Sequence, residues 1–124
     1  MKKSVKKIWL NALRSGEYNQ GEGRLRRGSG SEAQYCCLGV LCDLYRKSAV
    51  GKKKRAKWND VGFVPKRQSS SVMPERFYLP KEVIEWAGLT SKNPRTENEK
   101  DLAFLNDSMR KNFKEIADEI EMKV

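Results

Sequence analysis

The chain has 124 residues, with 26 Lys/Arg, 16 Asp/Glu, no histidine and a net charge of +10. No apolar run approaches the roughly 18 residues of a membrane span, and the missing histidine removes every His-dependent triad or dyad and the commonest metal ligand. Length predicts one domain over residues 1–124, 38% hydrophobic against 34% charged residues predicts a modest core, and the basic start Met1-Lys2-Lys3-Ser4 has no apolar stretch of roughly 7–15 residues behind it, which predicts a cytosolic protein without a secretory signal.

Residues 4–14 read as an amphipathic helix, with Val5, Ile8, Trp9, Ala12 and Leu13 at helical spacing and Gly16 as its stop. Residues 16–34 carry five glycines and few apolar groups. They read as a loop with a short irregular hairpin whose strands include Arg24-Leu25-Arg26 and Gln34-Tyr35-Cys36. Residues 35–45, YCCLGVLCDLY, suit a buried helix by length, with Leu38, Leu41, Leu44 and Tyr45 on its central face, and periodicity alone does not exclude a strand at the start. Gly39 inside that run predicts close packing against a neighbour or a strand-to-helix break.

Residues 46–78 read as an irregular basic loop, with a short strand or hairpin around Asp60 and Gly62 and a loop tip at QSSS, 68–71. Pro80 fits the first position of a helix that Gly88 stops. Thr96 with Glu99, and Asn112 with Glu115, have capping-box spacing ahead of two further helices. In the last, residues 113–123, Phe113, Ile116, Ala117 and Ile120 form the inward stripe. Leu105-Asn106-Asp107-Ser108 reads as a helix exit or cap. The expected fold class is α+β: a small helix-rich domain of four or five short helices with a minor β-hairpin.

The charge is one-sided. Residues 1–67 hold 17 Lys/Arg against 5 Asp/Glu, and residues 68–124 hold 9 against 11. An excess confined to one half is expected to form a face that attracts phosphate-bearing partners over about 8 Å at physiological salt. Three clusters build it: Arg24, Arg26 and Arg27 in the glycine loop; Lys52, Lys53, Lys54, Arg55 and Lys57; and Lys66 with Arg67. Arginine forks hold phosphate oxygens in bidentate fashion. Trp58, beside the second cluster, is either a core anchor or, like Tyr18, a platform on which a base stacks.

Known phosphate loops are absent. Gly51-Lys52 is followed by lysine, against the Walker A pattern, and GEGRLRRG has Arg26 where G-x-G-x-x-G needs glycine. Cys36, Cys37 and Cys42 make a poor disulfide framework, and they supply three zinc ligands where structural sites take four, so they are expected in the core. Glu82/Glu85 and Asp118/Glu121, each at i, i+3, have the spacing of solvated helix faces. No catalytic residue, metal site or cofactor is expected.

Several stretches occur in a fixed order: W-L-N-A-L-R-S-G-E-Y-N-Q-G-E-G at 9–23, Y-C-C-L-G-V-L-C-D-L at 35–44, L-P-K-E-V-I-E-W-A-G-L at 79–89, L-A-F-L-N-D at 102–107 and F-K-E-I-A-D-E-I-E at 113–121. In these the chain resembles a family of small uncharacterised proteins of tailed bacteriophages and prophages. The resemblance implies a phage accessory protein in the host cytoplasm and brings no catalytic residues with it. The functional expectation is a non-enzymatic binder of a phosphate-rich ligand, most simply nucleic acid. The alternative is a counter-defence protein that sequesters a small nucleotide signal or blocks an acidic host protein.

Overall fold

Trp9, Leu10 and Leu13 recur on one side of α1 (Lys3–Ser15), and that side is buried. The helix stops at Gly16, whose left-handed φ of 81° is open to glycine without a Cβ penalty. The computed structural model describes residues 1–67, 73–97 and 99–123. Among these, α1 is followed by β1 (Asn19–Gln20), β2 (Arg26–Arg27), a single 3₁₀ turn (Gly30–Glu32), β3 (Gln34–Tyr35), α2 (Cys37–Lys47), α3 (Ala49–Lys53), β4 (Lys57–Trp58), β5 (Phe63–Val64), α4 (Lys81–Ala87), α5 (Leu102–Asp107) and α6 (Phe113–Lys123). The fold is a small α+β domain. None of its described helices is long and apolar enough to cross a membrane.

A hairpin does form in the glycine-rich segment, between β2 and β3, with Arg26 opposite Tyr35 and Arg27 opposite Gln34, but it is shifted from the expected strands: Arg24 and Leu25 lie before β2, and Cys36 caps α2. A third strand joins it: β1 pairs parallel with β3, Asn19 opposite Gln34. The 35–45 run resolves into both of its alternatives. Gln34-Tyr35 is strand, and the helix starts at Cys37, with the Cys36 sulfur accepting from the Gly39 amide. Gly39 itself lies beyond the break and marks close packing, because a Cβ there would sit 1.8 Å from the Leu25 carbonyl oxygen.

Two expectations are corrected. The 46–78 segment is not loop up to the hairpin. Ser48 caps a short helix, α3, by accepting from the Gly51 amide at 3.1 Å, and the first cations of the basic run stand on it. Thr96 and Glu99 do not cap α5. Thr96 instead closes a tight loop, accepting the Glu99 amide on its carbonyl and the Lys100 amide on its hydroxyl, and the helix begins after Asp101. The Asn112–Glu115 box does form, each side chain accepting the other's backbone amide at 2.9 and 3.1 Å. The β4–β5 hairpin lies where Asp60 and Gly62 predict it, and the 68–71 tip lies outside the described residues.

The core is one cluster in which α1 packs on α6 and α2, and α2 on α4 and α5. Trp9, Leu38, Leu41, Tyr45, Ile116 and Ile120 are fully buried, each worth roughly 1.5–3 kcal/mol of transfer free energy or more. The Trp9 indole donates to the Cys37 carbonyl at 3.1 Å, which ties α1 to the first turn of α2. On the rim, Arg14 reaches Asp118 at 2.8 Å and Glu121 at 3.1 Å. That carboxylate pair therefore shares a face and holds the helix ends together, an exposed contact worth about 0–1 kcal/mol.

Replacing Gly39 by Ala drives a methyl into the Leu25 carbonyl of the glycine-rich segment. We expect a loss of about 3 kcal/mol and a fall of roughly 10 °C in thermal midpoint. An unchanged midpoint by circular dichroism would refute the packing described.

Candidate phosphate-binding cleft

The site begins with one carboxylate. Asp43 lies in the apolar run of α2 and is 2% exposed. A buried charge is costly unless paired and hydrogen-bonded, and Asp43 has four polar partners. Oδ2 accepts from the Tyr18 hydroxyl at 2.6 Å. Oδ1 accepts from Arg46 Nε at 2.8 Å and from the Trp58 indole at 2.9 Å. Lys47 Nζ stands 3.4 Å away. Burial pushes the carboxyl pKa up, but the bonds from Arg46, Tyr18 and Trp58 outweigh it and hold it below the ordinary value. The Tyr18 hydroxyl moves the other way, raised by burial and by its bond to Asp43.

The clasp gathers three parts of the chain: the loop after α1, the second half of α2, and β4. It also fixes what the two candidate stacking rings do. Trp58 is half-buried, with its indole nitrogen on Asp43 and its ring edge-on to Tyr35 at 5.9 Å and to Phe63 at 4.8 Å. Tyr18 meets Tyr35 edge-on at 5.0 Å and carries Lys47 over its ring at 5.2 Å. Both rings are anchors.

Trp58 turns its remaining side toward the arginines. The Arg26 guanidinium lies 5.0 Å from the Trp58 ring centroid, a cation–π contact. Arg24, Arg26, Arg27 and Trp58 line one cleft of about 350 Å³, closed on the far side by the 59–62 turn, which sets the carboxylate of Asp60 opposite the three arginines. That turn is held by the Asn59 side chain, which accepts from the Val61 and Gly62 amides at 2.9 Å each. Arg27 is pinned by donation to the Glu22 carbonyl at 2.6 Å. The glycine loop therefore presents its arginines on braced backbone.

The other two clusters divide. Lys52, Lys53, Lys54, Arg55 and Lys57 are all exposed. α3 closes with the Ala56 amide on the Gly51 carbonyl and the Arg55 amide on Lys52. This places Arg55 at φ 60° in the left-handed position where glycine is usual, at a cost of roughly 1 kcal/mol. The Arg67 amide bonds the Lys54 carbonyl at 2.8 Å, which brings the end of the third cluster to the second. Lys66 is drawn off to Glu82 on α4 at 3.3 Å.

A second polar pin holds the start of the glycine loop. Asn106, in the expected helix-exit stretch, is 1% exposed. Its Oδ1 accepts from Gln20 Nε2 at 3.0 Å and the Cys37 amide at 3.3 Å, and its Nδ2 donates to the Gly21 carbonyl at 2.8 Å. It is a strut between α5, the glycine loop and α2.

The family model described as "Domain of unknown function (DUF8296)" matches residues 1–124. The chain belongs to this family. No curated protein and no solved structure matches it. In this DUF8296 domain the three cysteines are free and buried. Burial pushes the Cys36 thiol up to about 12 and raises Cys37 and Cys42 well above the ordinary range, so they pack as small hydrophobes. The described residues contain no cluster of metal-ligating side chains.

Because the Asp43 pKa is depressed by folding, the stabilisation it brings is complete above the unfolded value of about 3.9 and is lost as the pH falls through the lower folded value. Asp43→Asn is expected to cost about 3 kcal/mol near neutral pH. Its deficit against the unsubstituted protein narrows as the pH falls below about 4. Urea unfolding of both proteins across that range checks this, and a deficit that stays constant would contradict it.

Proposed function

We propose that the protein is a non-enzymatic phage accessory protein that acts in the host cytoplasm. It binds a phosphate-rich ligand, most simply nucleic acid, through the basic surface of its N-terminal half. The phage part is supported by the ordered motif stretches. The non-enzymatic part is supported by the lack of histidine in the sequence and the burial of all three thiols.

The observation that carries the reading is the convergence of three arginines without carboxylate partners, Arg24, Arg26 and Arg27, on one cleft. Carboxylates neutralise Arg14, Arg46, Lys47, Lys66, Lys81, Arg95 and Lys111. Among the described residues, Arg24, Arg26, Arg27, Lys52, Lys53, Lys54, Arg55, Lys57 and Arg67 make no such pair. Three of these line one cleft beside Trp58. Unneutralised cations raise a local potential that concentrates polyanions and steers their approach. A sugar–phosphate backbone neutralises them and releases its counterions.

A second reading follows from the size of the cleft. At about 350 Å³ it falls within the range of small-molecule sites, roughly 300–1,000 Å³, and suits a single nucleotide signal held in a counter-defence role. Mass spectrometry of ligand released after co-expression with a signal-producing enzyme separates the two readings. A co-purifying nucleotide supports sequestration, and its absence argues against it.

For the nucleic-acid reading, polarisation titration with labelled single- and double-stranded oligonucleotides is expected to show affinity that falls steeply with salt. Every phosphate that the protein neutralises adds about 0.7–0.9 to the steepness of log K against log salt. Changing Lys52, Lys53, Lys54, Arg55 and Lys57 to Gln should flatten that slope by several such steps. Unchanged affinity and slope would remove this run from the interface, and no binding at low salt would overturn the reading.

A further inference from the structure

Trp58 and Tyr18 are both held by Asp43, and the structure exposes two further rings beside the arginine cleft. Phe77 is 47% exposed and Tyr78 38% exposed. Each carries a cation: the Arg76 guanidinium lies 5.4 Å from the Phe77 centroid and Lys92 Nζ 5.0 Å from that of Tyr78. The two rings line a second cleft of about 250 Å³ together with Gly23, Arg24, Ala103 and Asp107.

This cleft and the arginine cleft are contiguous. Arg24 lines both. The Leu25 amide donates to the Arg76 carbonyl at 2.7 Å, so the segment that presents the arginines runs alongside the segment that presents the rings. Residues 75–76 also pass close to Gly62, in the turn that closes the arginine cleft, where a Cβ would stand 2.2 Å from the Glu75 carbonyl oxygen and 3.2 Å from Arg76 Cγ. One continuous strip therefore carries unpaired guanidinium groups at one end and exposed aromatic faces at the other.

We propose that Phe77 and Tyr78 are a stacking platform for the unpaired bases of a single-stranded nucleic acid whose backbone lies along Arg24, Arg26 and Arg27. This rests on the phosphate-binding reading above and narrows it to single strands. A duplex keeps its base faces stacked inside, whereas a single strand offers both phosphates and π-faces. The chemistry of the cleft agrees. Its one carboxylate, Asp107, repels a phosphate and accepts from the exocyclic amine of a base. Flexible cations over rings move aside to meet the backbone as a base takes their place.

The test compares a mixed-sequence single strand with an abasic sugar–phosphate strand of equal length, by polarisation at low salt. The unsubstituted protein is expected to hold the base-bearing strand about a hundredfold tighter, about tenfold for each of two stacked bases. Phe77→Ala and Tyr78→Ala should each remove about tenfold of that preference for the base-bearing strand. Both should leave the affinity for the abasic strand and the salt slope unchanged, and Tyr78→Phe should retain the preference. Equal affinity of the unsubstituted protein for both strands would overturn the stacking platform while leaving phosphate binding in place. That comparison does not depend on how any variant folds. Binding of neither strand would overturn both.

Discussion

A single buried carboxylate governs how this protein can be arranged. Asp43 sits on a helix that is otherwise apolar on every side it buries, and a charge in that position is tolerated only when its lone pairs are filled. Filling them takes a tyrosine from the glycine-rich segment, an indole from the hairpin after α3 and two cations from the next turn of its own helix. None of those loop segments has a long strand or helix to hold it. The strands of both sheets are two residues each, far short of what stabilises an isolated hairpin. The clasp replaces the missing ladder. It sets Trp58, on which Arg26 rests, and so sets one wall of the arginine cleft.

Asn106 performs the complementary task from the other side. Its amide joins the glycine loop at Gln20 and Gly21 to the start of α2 at Cys37. The glycine-rich segment is therefore held at its first end by Asn106 and Asp43, and at Leu25 by contact with Gly39 and by the amide bond to Arg76. Arginines on a loop braced this way lose less conformational freedom when they meet a ligand than arginines on a free loop would. These stretches of the chain thus read mainly as supports: the N-Q-G-E-G, C-C-L-G-V-L-C-D and L-N-D segments meet one another around these two polar side chains.

The sequence made some of this legible, for physical reasons that can be stated. α1, α4 and α6 were readable because each carries an apolar stripe and a local end signal: Gly16, Gly88 and the Asn112–Glu115 box. α3 was not, because its five residues are rich in lysine and glycine and its start depends on Ser48, which also ends α2. β1 was hidden because a two-residue parallel pairing depends on a distant strand. The one-sided charge was plain, but the meeting of the arginines with Trp58 was not, since it is made by the Asp43 clasp. A signal for that clasp did exist. Asp43 lies three and four residues after Val40 and Gly39, both buried, and Asn106 lies four after Leu102 on the inward stripe of α5. A polar group at an inward position requires partners, and asking which ones would have pointed to the nearby Tyr and Trp.

The central claim is that organisation, rather than charge alone, makes the basic half a binding surface. Asp43→Asn separates the two directly, because it raises the net charge by one while loosening Trp58 and Tyr18. Oligonucleotide affinity of the folded variant and of the unsubstituted protein, measured at the same salt, is the decisive comparison. An organised cleft predicts that the variant binds about tenfold more weakly, the equivalent of one charge-assisted hydrogen bond to the ligand. Equal or tighter binding by the more positive variant would contradict the account.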